Sequence, residues 1–232
     1  MVQMYRRRRS SGLSGWLRAI SATGWIIVVS VLMSVLGFVT FAIGRPELLA
    51  LKPSIFLQGQ YFWTIVTHMF LHGGVFHLFI NMFVLMSLGG LLERIIGQKR
   101  YVWLYLLSGV FAGLLSVLLS GLYGGSALGA RLFGSADVFM VGGSGAIFAL
   151  AAMLMTLLPN LRFAIIFFPF FTLPAYVMVP LVLILTWAAS AAGGLPIGNV
   201  AHFGGFLVGL GYGLYLRRKY KRKIQVLGRQ FR

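Results

Sequence analysis

The stretch GGSGAIFALAAMLMTLL at residues 142–158 places a serine between glycines at the start of a long apolar run. Two interpretations are open. In the first, Gly142, Gly143 and Gly145 are small residues at which two membrane helices pack closely. In the second, Ser144 is a nucleophile whose neighbours have no side chains to block attack on a substrate. The motif is short, so the choice between them depends on the rest of the chain.

The composition of the chain indicates a membrane protein. Hydrophobic residues make up 59% of the 232 residues and charged residues 10%, which a soluble domain of this size would not need. Several uncharged runs are about 20 residues long, which matches a bilayer core of about 30 Å. Cysteine is absent, which excludes disulfides, thiolate metal sites and a cysteine nucleophile. We therefore predict an all-α polytopic membrane protein.

Six apolar segments are predicted to cross the membrane. The first follows a basic arm but has full spanning length and no cleavage-site pattern, so we interpret it as an uncleaved span. The predicted spans lie at residues 24–43, 72 or 76 to 96, 101–123, 143–159, 173–191 and 199–216. The predicted regions are a basic cytoplasmic arm at 1–23, a six-span domain at 24–217 and a basic cytoplasmic tail at 218–232.

Three connecting segments have distinct compositions. Residues 44–67 mix charged residues and prolines with aromatic residues, so we expect them to lie in the membrane interface. Residues 124–143 are predicted to form a glycine-rich loop. Residues 163–172 contain proline and are expected to form a loop or a helix extension.

The distribution of positive charge predicts the orientation. Of the 20 lysines and arginines, 17 fall on one side of the six-span arrangement, and only Arg45, Lys52 and Arg131 fall on the other. The positive-inside rule places both termini in the cytoplasm. We therefore interpret the net charge of +17 as topogenic and as a contact with anionic lipid, and not as a nucleic-acid-binding surface.

Polar side chains are predicted to meet near the outer ends of three spans. His77 and Asn81 are four residues apart, so they share a helix face, and both can donate hydrogen bonds to a developing negative charge. His202 lies near the start of span six, and Ser144 near the start of span four. A serine at a helix start also offers free backbone N–H groups, including that of Gly143, as oxyanion donors.

Small residues predict how spans four and six pack. Span six carries a stripe of small residues with a four-residue repeat, formed by Ala201, Gly205, Gly209 and Gly213. Span four offers Gly145 and Ala149 at the same spacing. Packing of these faces would bring Ser144 and His202 to one depth, where a neutral His202 could accept the proton of the serine.

Other chemistries fit the sequence less well. The H-E-x-x-H motif is absent, and a chain with the single aspartate Asp137 cannot form an aspartyl dyad. His68, His72 and His77 make a poor metal site because the last two differ by about 140° around a straight helix, although the glycines between them leave this a minor alternative. No acid is well placed for a triad, so a serine–histidine dyad without metal or cofactor fits better.

Four motifs occur on four different parts of the chain. They are H-x3-H-x4-H-x3-N at residues 68–81, G-G-x2-E-x3-G at residues 89–97, G-G-S-G at residues 142–145 and A-H-x2-G-x3-G at residues 201–209. Together they resemble the rhomboid family of intramembrane serine proteases over nearly the whole six-span chain. The motifs occur in the family's order and on the matching spans, which makes their combination specific.

The resemblance implies a role for each matched residue. Ser144 would be the nucleophile and His202 the general base, with His77, Asn81 and the backbone of Gly143 stabilising the oxyanion. Glu93 would be a structural hydrogen-bonding residue near the cytoplasmic end. The residues implied to support the site are His72, Glu93, Gly145, Phe148, Gly205 and Gly209.

Two positions depart from the family pattern. The first outer loop has Trp63-Thr64 where the family often has Trp-Arg, which puts the anchoring of that loop in question. Phe148 stands where a tyrosine often stacks on the catalytic histidine. Because neither change removes a reacting group, we expect an active enzyme.

The resemblance implies hydrolysis of peptide bonds in or beside the transmembrane helices of membrane-protein substrates. Two alternatives remain at this point. The first is a non-catalytic rhomboid-like protein that binds membrane clients. The second is a small transporter or channel lined by histidine and asparagine, for which no inverted repeat is visible. The expected partners are substrates and the lipid bilayer, with the active site toward the outer face. The sequence leaves the oligomeric state open.

Overall fold

The computed structural model describes residues 20–165, 168–193 and 197–229. The first 19 residues of the predicted arm and residues 230–232 of the predicted tail lie outside this part of the chain. The described residues are mostly helical. The helices are α1 Ala22–Ala42, α2 Pro53–Leu57, α3 Thr64–Thr67, α4 Val75–Val84, α5 Gly90–Ile96, α6 Gln98–Tyr123, α7 Ala127–Phe133, α8 Ser144–Leu157, α9 Ala175–Gly193, α10 Asn199–Lys219 and α11 Lys221–Arg229.

Four apolar helices of the described part are long enough to cross a membrane. One consists of α4 and α5 together, because the π-helical turn Leu85–Gly89 joins them into a continuous helix. The other three are α1, α6 and α9. These four helices correspond to the predicted spans one, two, three and five, with bounds that agree to within a few residues.

The predicted spans four and six correspond to α8 and α10, and both depart from an ordinary span. α8 has 14 residues, or about 21 Å, which is shorter than a bilayer core. All of its residues except Ser144, Phe148 and Met155 are buried, so it is surrounded by other helices. α10 has 21 residues, but its many glycines and the basic residues at its C-terminus make it less apolar than a typical span.

The prediction of a loop or helix extension at residues 163–172 is wrong, although the chain around this segment is mostly helical, as predicted. β1 Arg162–Ile165 and β2 Phe168–Pro174 form an antiparallel hairpin. Aromatic and β-branched residues favour strands, and the prolines of this segment disfavour a helix. Arg162 also joins the strands, because its Nε donates to Thr172 Oγ1 at 2.8 Å and its Nη2 to the Thr172 carbonyl at 2.8 Å.

Two connecting segments, residues 44–67 and 124–143, contain short helices and contact each other. Residues 44–67 include α2, α3 and a 3-10 turn at Pro46–Leu48. The predicted loop at residues 124–143 contains α7, whose N-terminus is capped by the Ser126 hydroxyl. Leu51 and Met140 pair as an antiparallel bridge, which ties the first loop to the segment that leads into α8.

Candidate active site

Ser144 and His202 form a hydrogen-bonded pair at the N-terminal ends of two adjacent helices. Ser144 is the first residue of α8, and His202 lies in the first turn of α10. The distance from His202 Nε2 to Ser144 Oγ is 2.8 Å. His202 is 7% exposed, whereas Ser144 is half-buried. This arrangement allows proton transfer between hydroxyl and ring at a residue that keeps part of its surface accessible.

Close contact between two helix backbones sets the geometry of this pair. A Cβ atom added to Gly205 would collide with the carbonyl oxygen of Gly145, and one added to Gly209 would collide with the carbonyl oxygen of Ala149. Glycine is therefore required at both positions of α10 for the observed separation. The resulting register of α8 and α10 places Ser144 opposite the start of α10.

The His202 ring is held by packing. The Phe148 ring stacks on it with 4.5 Å between the ring centroids and an angle of 25° between the planes. His202 Nδ1 is buried and has no hydrogen-bond partner among the described residues. The single aspartate of the chain, Asp137, pairs with Lys52, with 3.6 Å between Oδ1 and Nζ. The described part of the site is thus a serine–histidine pair in which an aromatic ring supports the imidazole.

His77 contacts the glycines before Ser144. Gly142 has φ +131°, a left-handed conformation that favours glycine, and its N–H donates to the His68 carbonyl at 2.9 Å. A Cβ added to Gly142 would lie 3.1 Å from His77 Cε1. The Gly73 N–H lies 3.4 Å from His77 Nδ1, so Nδ1 is an acceptor and the ring proton is assigned to Nε2.

Asn81 and His72 both contact His77. Among the described hydrogen bonds, none joins either residue to Ser144 or His202. The Asn81 side-chain amide donates to the His77 carbonyl at 3.0 Å, which uses one of its two N–H groups. His72 is buried, with its ring centroid 5.1 Å from that of His77. His72 Nδ1 and Ser34 Oγ are 3.0 Å apart, so α1 contacts the His72–His77 pair.

Glu93 lies at the far end of the α4–α5 helix and holds the start of α1. Its carboxylate accepts from the Ala22 N–H at 2.9 Å, the Thr23 N–H at 2.9 Å and the Thr23 hydroxyl at 2.7 Å. A carboxylate at a helix N-terminus satisfies free N–H groups and interacts favourably with the helix dipole. The contact is structural.

The first loop is anchored without an arginine after its tryptophan. Trp63 Nε1 donates to the Leu48 carbonyl at 2.8 Å. Thr64 is buried, and its hydroxyl donates to the Tyr61 carbonyl at 2.7 Å. His68 Nδ1 lies 2.9 Å from the Thr64 carbonyl. Hydrogen bonds within the loop therefore connect Trp63 and Thr64 to Leu48, Tyr61 and His68.

Sequence reasoning missed two buried groups at the site. Tyr105 in α6 is fully buried, and a Cβ added to Gly143 would lie 2.6 Å from its hydroxyl oxygen, so Tyr105 supports the loop before Ser144. Ser34 in α1 is fully buried beside His72. A polar group in the middle of an apolar span was the available signal in both cases.

The histidines do not gather into a metal site in the part of the chain that the structure describes. No group of three or more His, Cys, Asp or Glu residues there is arranged to hold a metal ion. His68 and His72 instead bond to Thr64 and Ser34 respectively.

The apolar helices define an integral membrane protein with a serine–histidine pair buried between its helices. Residues 59–219 match the family model of the Rhomboid domain. The match covers more than half of the chain, and the chain therefore belongs to the rhomboid family.

Curated relatives carry the same family name. The chain is 33% identical over 149 residues to "Presenilin-associated rhomboid-like protein, mitochondrial" of Mus musculus, covering 63% of this chain and 36% of that protein. It is 35% identical over 162 residues to "RHOMBOID-like protein 5" of Arabidopsis thaliana, covering 68% of this chain and 46% of that protein. For "RHOMBOID-like protein 1" of Arabidopsis thaliana the identity is 36% over 176 residues, covering 74% and 39%. The chain spans less than half the length of these relatives.

Proposed function

We propose that the protein is an intramembrane serine protease that hydrolyses peptide bonds in or beside the transmembrane helices of membrane-protein substrates. The observation that carries this proposal is the 2.8 Å distance between His202 Nε2 and Ser144 Oγ. The position of Ser144 at the start of α8 supports it, because the first N–H groups of a helix have no partner within the helix.

In the first step, Ser144 Oγ attacks the carbonyl carbon of the scissile bond. His202 Nε2 accepts the hydroxyl proton, so the imidazole must be neutral at rest. Phe148 keeps the ring plane fixed while the charge on the ring changes. His202 then donates this proton to the departing amine, and the acyl group remains on Ser144.

The carbonyl oxygen gains negative charge during attack and needs donors. His77 and Ser144 face the same small space beside Gly142. A Cβ atom built on Gly142 would lie in that space, 3.4 Å from His77 Nε2 and 3.7 Å from Ser144 Oγ. An oxygen in that space would receive a hydrogen bond from the Nε2–H of His77. The backbone N–H of Gly143 or Ser144 and the free N–H of Asn81 supply further donors.

In the second step, water attacks the acyl-enzyme. His202 takes a proton from the water and returns it to Ser144 Oγ, which restores the resting pair. Water needs access to a buried site, and the half-buried positions of Ser144 and His77 support entry from the N-terminal end of α8. A helical substrate would have to unwind there to expose its carbonyl group.

The proposed topology has six spans, with α8 and α10 crossing inside the bundle, and both termini in the cytoplasm. Positive charges near the C-terminal end of α8 support it. Arg217 Nη1 donates to the Thr156 carbonyl near the C-terminal end at 3.1 Å, and the basic helix α11 follows there. By the positive-inside rule this end faces the cytoplasm and Ser144 faces outward.

The test is cleavage of a model transmembrane substrate by the purified protein in liposomes. Ser144→Ala and His202→Ala should each lower turnover by at least about 10³-fold. Ser116→Ala is the matched control, because Ser116 is buried on α6 and, within the described part of the chain, its hydroxyl donates to the Ala112 carbonyl of the same helix. It should leave turnover within about threefold.

Two outcomes would overturn the proposal. Labelling by a fluorophosphonate that persists in Ser144→Ala would show that another group is the nucleophile. Client turnover in cells that His202→Ala leaves unchanged would favour the non-catalytic client-binding alternative.

A further inference from the structure

A cavity of about 300 Å³ lies at the end of the bundle opposite Ser144. It opens between the α5–α6 junction, the C-terminal ends of α8 and α10, and α11. Its apolar wall includes Ile96, Leu157 and Leu216, and α11 adds Ile224 and Leu227. This volume is at the low end for ligand pockets.

Cationic groups stand at the rim of this cavity. Arg100 and Lys223 line it together with Tyr220. The Arg100 guanidinium is held in place, because Nη2 lies 3.3 Å from the Tyr220 hydroxyl and the guanidinium carbon lies 5.7 Å from the centroid of the Tyr220 ring. Lys223 is exposed and supplies a second positive charge from α11.

No side-chain carboxylate of the chain neutralises this rim. The chain contains only three acidic residues, and each is engaged elsewhere. Glu93 binds the start of α1 through Ala22 and Thr23. Glu47 pairs with Arg45 at 2.6 Å, and Asp137 lies 3.6 Å from Lys52. An anion that pairs with Arg100 and Lys223 would therefore not be a side chain of this protein.

The pattern of α11 indicates where that anion comes from. Ile224 and Leu227 are half-buried toward the cavity, whereas Lys221, Arg222 and Lys223 are exposed. A helix with an apolar face and a basic face at the end of a membrane bundle is typical of a helix lying at an anionic bilayer surface.

We propose that the cavity binds one anionic phospholipid, with its phosphate against Arg100 and Lys223 and the first part of its acyl chains against the apolar wall. The bidentate geometry of a guanidinium suits a phosphate group. A ligand that is charged at one end and apolar at the other satisfies both halves of the cavity, which neither a free anion nor a neutral lipid does. This site is independent of the proposed protease activity.

The experiment measures retention of phosphatidylglycerol by the full-length protein in detergent micelles, using native mass spectrometry. The double variant Arg100→Gln with Lys223→Gln should weaken retention by about tenfold. The matched control is Lys221→Gln with Arg222→Gln, which removes the same charge from residues outside the cavity. It should weaken retention by less than about threefold. Arg100→Lys keeps the charge but loses the bidentate guanidinium, so it should weaken retention by about two- to threefold, less than the double variant.

Three results would overturn the proposal. Equal losses in the two double variants would show general attraction to the basic end. Equal retention of phosphatidylcholine would show an apolar site without charge recognition. Competition by inorganic phosphate at the same concentration as the lipid would show a free-anion site. The thermal unfolding temperature in phosphatidylcholine nanodiscs checks that each variant is folded.

Discussion

The α8–α10 pair and the α1 helix are held in the bundle by different interactions. α8 and α10 meet backbone to backbone, so that the Cα of Gly205 faces the carbonyl of Gly145 with no room for a methyl group. α1 exposes most of its large apolar residues and buries a narrow face. The buried residues of that face are Ala22, Thr23, Ile26, Ser30, Ser34 and Gly37. Hydrogen bonds from Thr23 and Ser34 are its specific contacts.

This difference suggests a division of tasks. The proposed reaction needs Ser144 and His202 within a fraction of an ångström of their positions. Contact between two backbones fixes such a distance more firmly than contacts between side chains, which can change rotamer. Side-chain hydrogen bonds in membranes are individually weak, at about 0.6 kcal/mol on average. Damage at α8–α10 should therefore abolish activity, and damage at α1 should lower stability in steps.

The largest effect is expected for Gly205→Ala. The new Cβ collides with the Gly145 carbonyl oxygen, so the helices must separate and His202 must move away from Ser144. We expect turnover to fall by about 100-fold or more and the free energy of unfolding to fall by about 1–3 kcal/mol. Cleavage of the model transmembrane substrate and thermal unfolding measure the two effects.

Gly211→Ala on the same helix is the control. A Cβ added to Gly211 has no atom within 4 Å among its described neighbours. Alanine should preserve turnover and raise stability by up to about 1 kcal/mol, because it favours a helix more than glycine does. Similar turnover in Gly205→Ala and Gly211→Ala would show that backbone contact does not set the dyad.

Glu93→Gln should have the largest effect on the α1 side. The amide retains the size of the carboxylate but loses the charge and part of the acceptor capacity toward Ala22 and Thr23. The expected loss is about 1.5–3 kcal/mol of unfolding free energy. Glu93 lies 16 residues after His77, about 24 Å along the α4–α5 helix, so turnover at a temperature where the variant is folded should change by less than about threefold.

Glu47→Gln is the matched control for this substitution. The hydrogen bond from Arg45 lowers the pKa of Glu47, and the pair reaches solvent mainly through Arg45, whose side chain is 55% exposed against 19% for Glu47. Exposed ion pairs contribute little, so the unfolding temperature should hardly change. If Glu47→Gln and Glu93→Gln lowered the unfolding temperature equally, the contact of Glu93 with the start of α1 would not be a specific stabilising contact.

The sequence predicted the helix pair better than it predicted the attachment of α1. The four-residue repeat of Gly205 and Gly209 is visible in the sequence, and small residues in membrane helices have few roles besides close packing. Ser34 and Thr23 carry no such repeat, and a serine in an apolar span satisfies itself on its own helix as readily as on another. Their partners depend on tertiary placement, which a linear pattern does not contain.

The hairpin at residues 162–174 was missed for a related reason. Its apolar composition equals that of a buried helix, and the prolines could be read as breaks between spans. The strands pair Arg162 with Pro174, and the Arg162 side chain also bonds Thr172, so the stabilising contacts join residues ten or more positions apart. Length and hydropathy predicted α1, α6 and α9 well because both are properties of the local sequence.

A smaller effect is expected for Ser34→Ala, which removes the hydrogen bond to His72. Such hydrogen bonds in a membrane contribute about 0.6 kcal/mol to stability on average and about 1.7 kcal/mol at most. We expect the free energy of unfolding to fall by an amount within this range. Because the His72 ring contacts that of His77, we also expect turnover to fall by about two- to fivefold. Ser87→Ala is the control, since Ser87 is exposed and bonds the Phe83 carbonyl of its own helix. A loss of stability without any change in turnover would show that Ser34 only attaches α1.

The smallest effect is expected for Phe148→Tyr, which tests whether the α8–α10 pair tolerates a change that spares the backbone. The ring that stacks on His202 remains, and Phe148 is half-buried, so a hydroxyl at the ring edge has room. Turnover should stay within about twofold, whereas Phe148→Leu should lower it by about three- to tenfold because the ring contact is lost. The same assay and substrate measure both variants. A decrease in Phe148→Tyr as large as that in Gly205→Ala would show that side-chain packing, and not backbone contact, limits the geometry of the dyad.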